Sequence, residues 1–263
     1  TTIDIANPFL ATSVSSFSVA SGNTKFKAVD YKDKFQLNTQ AQIDYLSKTY
    51  YGENSITQDE NIKGLEENSQ PNPVKINWEN TGCEKGYKVY ISETEDLANP
   101  WIYEANSAEL SVFNLKVDTK YYYQVEENIE NSRVSNIASF TTDKGIRNLY
   151  LDGVTNVRDL GGYWVGENNK TIKQGLLFRG GRLNNSYPYG SGSFGHDYSK
   201  KDETAIRYER EITEAGIKEF QRLGIKNEID LRYDVEKTTC SFDANYYPYG
   251  MQQYNWIFPT DLS

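Results

Sequence analysis

From Val74 onward, apolar side chains recur at every second position. Val74, Ile76 and Trp78 alternate with Lys75 and Asn77, and Tyr87, Val89 and Ile91 alternate with Lys88 and Tyr90. Trp101 and Tyr103 follow Asn99-Pro100. Leu110 and Val112 come next, then Tyr121, Tyr123 and Val125, and a last run from Ala138 to Thr141. A period of two marks a strand with one buried face. Turn-forming residues separate the runs at short intervals, with no helical pattern between them. The pattern predicts an all-β sandwich over residues 69–144.

The flanks follow other rules. Residues 1–68 form a segment with no assigned fold. Within it Thr39–Tyr51 predicts one helix, with Ile43, Leu46 and Tyr50 on a shared face, and the first sandwich strand is also expected in this segment. Asn68-Ser-Gln-Pro-Asn-Pro73 reads as a boundary, because two closely spaced prolines favour extended chain. In residues 145–263 the period changes again. A hairpin-like segment with Gly166–Asn169 as its turn is followed by a long surface loop at 184–201, rich in Tyr, Gly and Ser. Thr213 then caps a predicted helix, with Ile212 and Ile217 as a hydrophobic staple. Ile217, Phe220 and Leu223 line its face, and Gly224 stops it. A strand over Ile225–Arg232 follows, and a helix leading straight into a strand points to an α/β layer.

Composition narrows the function classes. The net charge is −9, which disfavours nucleic acid and anionic membrane surfaces as partners. No apolar run approaches the ~18 residues of a transmembrane helix, so no membrane insertion is expected. The 21 Tyr, 11 Phe and 4 Trp make up for a hydrophobic content of only 37%, since a tyrosine can bury its ring while its hydroxyl stays paired. The sequence begins without Met and without a basic-plus-apolar leader, as a trimmed or an exported, processed chain would. Cys83 and Cys240 fall in different predicted domains, so no disulfide is expected, and each reads first as a small packed side chain. With His196 the only histidine, a Cys/His zinc site is excluded, and no metal or cofactor is expected.

Two stretches resemble known families. Leu115-Lys-Val-Asp-Thr-Lys-Tyr121-Tyr-Tyr-Gln-Val125 is similar to the corner between strands E and F of fibronectin type III domains, where Leu, Thr and Tyr recur at this spacing. Trp78 matches that family's core Trp. The resemblance spans about Pro71 to Asp143 and implies a tyrosine corner at Tyr121. Its role would be a spacer, or a site for a glycan, a protein or the second domain. Asn156-Val-Arg-Asp-Leu-Gly-Gly162, Gly175-Leu-Leu-Phe-Arg-Gly-Gly-Arg182 and Ile229-Asp-Leu-Arg232, in that order, resemble the N-terminal half of the bacterial tyrosine/serine protein phosphatases. That family is a dual-specificity-like branch of the cysteine phosphatases. This second resemblance covers about residues 150–240, and the 184–201 loop departs from the family's compact form. The fold class expected is therefore mixed and multidomain: a fibronectin type III-like sandwich followed by a partial α/β phosphatase-like domain.

The second resemblance implies hydrolysis of phosphomonoesters on phosphotyrosine or phosphoserine proteins, or on phosphoinositides. The chemistry uses a His-Cys-x5-Arg loop whose amides and Arg hold phosphate while its Cys thiolate attacks, and an Asp that protonates the leaving oxygen. That loop is missing. The sixth residue after Cys240 is Tyr246, and after Cys83 it is Val89. The expectation is a truncated chain whose catalytic half lies beyond Ser263. A degenerate, non-catalytic relative is the alternative. The resemblance places Asp230 and Arg232 at the end of a sheet strand where α/β ligand sites gather. Arg158, Asp159 and Arg179 are further substrate-site candidates, with Arg182 beside them, though Arg158 and Asp159 read first as a salt-bridged turn and Arg179 and Arg182 as surface or structural pairs. A competing function is surface binding of a glycan or protein through exposed rings such as Trp101 and Tyr103. Fibronectin-like modules accompany exported bacterial enzymes, so an extracellular or cell-surface location is expected.

Overall fold

A computed structural model describes residues 24–47, 70–162, 170–181, 183, 212–230 and 245–248. Among these the fold is mostly β-sheet with few helices. The chain divides into two compact units. One comprises residues 1–150 and 156–179, the other residues 151–155 and 180–263.

The first unit is organised around a seven-stranded sheet. Its central strands are β4 (Tyr87–Ser92) and β7 (Lys120–Glu127), antiparallel to each other, with β5 (Trp101–Ala105) on the far side of β4. β8 (Val134–Ser135) and β9 (Ala138–Thr142) both pair with β7. β3 (Val74–Asn77) and β6 (Glu109–Val112) form a second, two-stranded antiparallel sheet. One apolar core draws on both sheets, through Val74, Ile76, Leu110 and Val112 of the smaller and Tyr87, Val89, Ile91, Tyr121, Tyr123, Val125 and Phe140 of the larger.

The alternation in the sequence is what sorts these side chains. Tyr87, Val89 and Ile91 lie opposite Glu127, Val125 and Tyr123, so residues of one parity meet across the core face. Tyr87, Tyr121 and Tyr123 bury their rings and keep their hydroxyls bonded. Tyr121 is fully buried and its hydroxyl accepts from Lys116 N at 2.9 Å, the hydrogen bond expected of a tyrosine corner. Tyr123 donates to Val29 O at 2.7 Å. Trp78 packs edge-on against Tyr87 at 5.3 Å.

The segment before residue 68 contributes two short strands, whose positions no alternation in its sequence marks. β1 (Thr24–Phe26) pairs parallel with β8, and β2 (Lys34–Phe35) pairs parallel with β9. Phe26, Ala28 and Leu37 join the core. α1 (Gln40–Ser47) lies within the predicted helix at 39–51, whose last four residues fall outside the described set. Thr39 and Gln42 cap it reciprocally. Gln42 N donates to Thr39 Oγ1 at 3.2 Å and Thr39 N donates to Gln42 Oε1 at 3.0 Å.

In the second unit, the predicted cap is in place. Thr213 has extended backbone, and its hydroxyl oxygen accepts from Gly216 N at 3.1 Å to start α2 (Glu214–Arg222). The hydroxyl also donates to Asp152 Oδ2 at 2.7 Å. Ile212 and Phe220 are buried, and Gly224 ends the helix with φ +76°. β13 (Asn227–Asp230) then pairs in parallel with β14 (Asn245–Pro248). Parallel neighbours require a crossover rather than a tight turn.

One inward position of the first unit carries a charge. Period two turns Glu127 toward the core, where it is 1% exposed. Arg133 answers it with Nε to Oε2 at 2.8 Å and Nη2 to Oε1, and Thr81 donates to Oε1 at 2.5 Å. The arginine's hydrogen bonds lead in lowering the carboxyl pKa from its ordinary 4.5 to about 2, against the opposing effect of burial. A lowered folded-state pKa stabilises the fold above the unfolded value and loses that effect as pH falls through the folded one. The stability gap between the wild type and Glu127→Gln is therefore expected to be full above about pH 4.5 and to shrink progressively toward pH 2. Denaturant melts across that range measure it, and a gap independent of pH would contradict the assignment.

Candidate functional site

The phosphatase-like motifs fall on a three-stranded sheet of order β10 (Asn148–Leu151), β11 (Val154–Asp159) and β12 (Phe178–Arg179). β11 and β12 are antiparallel, with Asp159 opposite Phe178 and Arg158 opposite Arg179. Alternation along β11 buries Val157 and Asp159 and leaves Asn156 and Arg158 on the other face, exposed and half-buried respectively.

Asp159 is fully buried, and its oxygens are engaged from within the chain. Arg147 Nη1 donates to Oδ2 at 2.7 Å, Gly175 N to Oδ2 at 2.6 Å, and Gly161 N to Oδ1 at 2.8 Å. Arg147 is enclosed as well. Its Nε donates to Leu115 O at 3.1 Å and its Nη2 to Asn114 O at 2.7 Å. The backbones are joined by Asp159 N to Arg147 O at 2.9 Å. Both charges are thus paired and hydrogen-bonded, the condition under which burial is tolerated. This arrangement ties the turn after β11 to the loop after β6.

Two amide side chains reinforce that tie. Asn114 Nδ2 donates to Tyr150 O at 2.8 Å, while its Oδ1 accepts from Tyr150 N at 2.6 Å. Gln174 Nε2 donates to Val117 O at 3.0 Å, and its Oε1 accepts from Val117 N at 2.9 Å. Each amide pairs with a backbone as a neighbouring strand would. The two glycines of the motif make room. A Cβ on Gly161 would stand 2.5 Å from Lys173 O, and Gly162, at φ +92°, passes the Gln174 side chain so closely that a Cβ would lie 2.9 Å from its Cγ.

The other candidates have different settings. Arg158 Nη2 donates to Asn156 Oδ1, and its Nε is shut off from solvent without an acceptor. Arg179 is exposed. Asp230 ends β13, in register with Pro248. Arg182, His196, Arg232 and Cys240 lie outside the described residues, as does the predicted turn at 166–169. Cys83 is a free, half-buried thiol packed against the core of the first unit. Tyr103 is buried at 3% exposure, and Trp101 is half-buried beside Tyr121 at 6.1 Å, so the two do not form an exposed aromatic patch. The structure thus gathers Arg158, Asp159 and Arg179 on one sheet. It adds Arg147, Asn114 and Gln174, whose partners lie 12 to 57 residues away and leave no local signal in the sequence.

Comparison with known proteins points the same way as the motifs. The model of the tyrosine phosphatase family matches residues 149–193. The match opens on β10 and takes in the Asn156–Gly162 and Gly175–Arg182 motifs together with the Asp159 turn. It supports a relationship to tyrosine phosphatases and a phosphatase function in general. No curated protein matches the chain.

Asp159→Asn keeps the shape of the side chain but leaves the Arg147 guanidinium buried without its counter-charge. Removing one member of a buried pair costs about 3–5 kcal/mol, and part of the amide's hydrogen bonding offsets the lower end. We expect Asp159→Asn to lower unfolding free energy by about 3 kcal/mol in urea titration. A change below about 0.5 kcal/mol, the scale of ordinary surface substitutions, would show that the turn does not depend on the pair.

Proposed function

We propose that this chain belongs to a phosphomonoester hydrolase of the cysteine phosphatase type, acting on phosphotyrosine or phosphoserine proteins. Residues 145–263 are read as part of an α/β phosphatase-like domain of bacterial type. Residues 69–144 are read as a fibronectin type III-like sandwich in front of it. The observation that carries the reading is the tyrosine phosphatase family match over 149–193, which takes in two of the three ordered motifs. The Lys116 N to Tyr121 hydroxyl bond supports the sandwich assignment. The parallel pairing of β13 and β14 after α2 supports the α/β assignment.

The nucleophile is not supplied by this sequence, since neither cysteine precedes an arginine at the required spacing. Asp230 and Arg232 are proposed as substrate-side residues that would face a phosphate-binding loop, and Arg158, Asp159 and Arg179 of the β11–β12 pair as separate substrate-site candidates. Asp159 would act there by position, holding the turn that carries Arg158. An extracellular or cell-surface setting fits the fibronectin-like resemblance.

The test compares this chain with the product of the complete gene on an aryl phosphate and on phosphotyrosine and phosphoserine peptides. The expected outcome is no turnover by the chain alone and vanadate-sensitive turnover by the complete product. Hydrolysis by the 263-residue chain itself would overturn the claim that the nucleophile is missing. A complete product inert toward every phosphomonoester would overturn the phosphatase reading.

A further inference from the structure

Exposed apolar side chains need no explanation when they stand singly, and need one when they gather. Among the described residues, Val29, Ile129 and Ile229 are exposed in separate parts of the chain. Ile172, Leu176 and Leu177 are exposed in the one short stretch that leads into β12, at 42%, 68% and 52%. Gly162 N donates to Ile172 O at 2.9 Å and Leu160 N donates to Leu177 O at 2.8 Å, so both ends of the stretch are tied along the turn after β11.

The strand that follows has an open edge. β12 is the last strand of its sheet and pairs with β11 on one side. Residues of an antiparallel pair alternately turn their backbone groups toward the partner and away from it. Leu177 O accepts from Leu160 N, whereas Asp159, opposite Phe178, sends its own N–H to Arg147 O. Phe178 therefore turns its N–H and C=O away from β11, and no partner for them stands among the described residues. The surroundings are basic. Residues 170–181 hold Lys170, Lys173 and Arg179, all exposed, and no acidic residue, in a chain where 37 Asp and Glu outnumber 28 Lys and Arg. Cations beside an open edge disfavour pairing with an identical edge, since a second copy would bring the same charges opposite. An acidic strand meets attraction instead.

We propose that the open edge of β12, with Ile172, Leu176 and Leu177 beside it, docks an extended segment of a partner protein that carries both acidic and apolar residues. The segment adds a strand to the sheet. Its main chain meets the N–H and C=O of Phe178, its apolar side chains cover the two leucines, and its carboxylates face Lys170, Lys173 and Arg179. Docking of this kind needs neither a phosphoryl group nor a catalytic loop, so it stands or falls independently of the phosphatase reading.

Fluorescence anisotropy with a labelled, unphosphorylated peptide of alternating Val and Glu tests it on the 263-residue chain. Saturable binding is expected, and none to a twin with Lys in place of Glu. Leu176→Ser and Leu177→Ser should each weaken binding by about tenfold, the scale of covering one leucine side chain. Both positions are exposed, so melts matching the wild type are expected to certify their folding. Lys173→Glu should weaken the Glu peptide and admit the Lys twin. Ile129→Ser, in the turn after β7, should leave affinity unchanged. A probe with Pro at its centre should lose binding, because Pro has no N–H to give to a strand edge. Sedimentation of the chain alone should show no self-association that depends on Leu177. Self-association abolished by Leu177→Ser would assign the edge to a second copy and overturn the proposal. So would absence of saturable binding, equal binding of the Lys twin, or unchanged affinity in both leucine variants.

Discussion

The buried contact between Arg147 and Asp159 is the constraint on which the family-matched hairpin depends. A carboxylate enclosed at 0% exposure is viable only where charge and hydrogen bonds are both supplied. Here one cation and two glycine amides meet its oxygens, while the cation's Nε and Nη2 donate to the carbonyls of Leu115 and Asn114. Such a pair gains little free energy over well-packed apolar residues. Its effect is positional. Each donor is satisfied in one register only, so the turn after β11, the start of β10 and the loop after β6 are locked together.

Among the described residues, the arginines of this acidic chain divide into two kinds. Arg133 and Arg147 stand beside carboxylates that strand alternation or turn geometry has driven inside, and Arg222 does the same for Glu219 on α2. These three keep buried acids compatible with folding. Arg158 and Arg179 face each other instead. The contrast follows from geometry, since at the end of β11 Val157 and Asp159 turn inward while Asn156 and Arg158 lie on the other face.

Much of this was readable in the sequence where the signal is local. Alternation marked β3, β4, β6, β7 and β9, the Leu115–Tyr121 spacing marked the tyrosine hydroxyl bond, and Thr213 and Gly224 marked the ends of α2. What stayed hidden depends on distant partners. β1 and β2 are three and two residues long, too short to show a period, and are strands only because β8 and β9 lie beside them. Asp159 was legible as one half of a charged turn. Its partner was not, because Arg147 sits in an irregular stretch with no pattern of its own. The burial of Tyr103, which the sequence offered as part of a competing binding surface, is set by a sheet that only the tertiary structure assembles.

The amide clamps of Asn114 and Gln174 bear on how this protein can be divided. A cut at residue 145, where the sequence pattern changes, would leave Arg147 and Asp159 together but strip away the two carbonyls that cap the guanidinium, the Asn114 amide that clamps Tyr150 and the Val117 backbone that Gln174 clamps. A cut at Leu149, where the family match begins, would remove the guanidinium itself. The family-matched strands are therefore held in part by the loop after β6, and they can be shuffled, swapped or expressed separately from it only by rebuilding that shared seam.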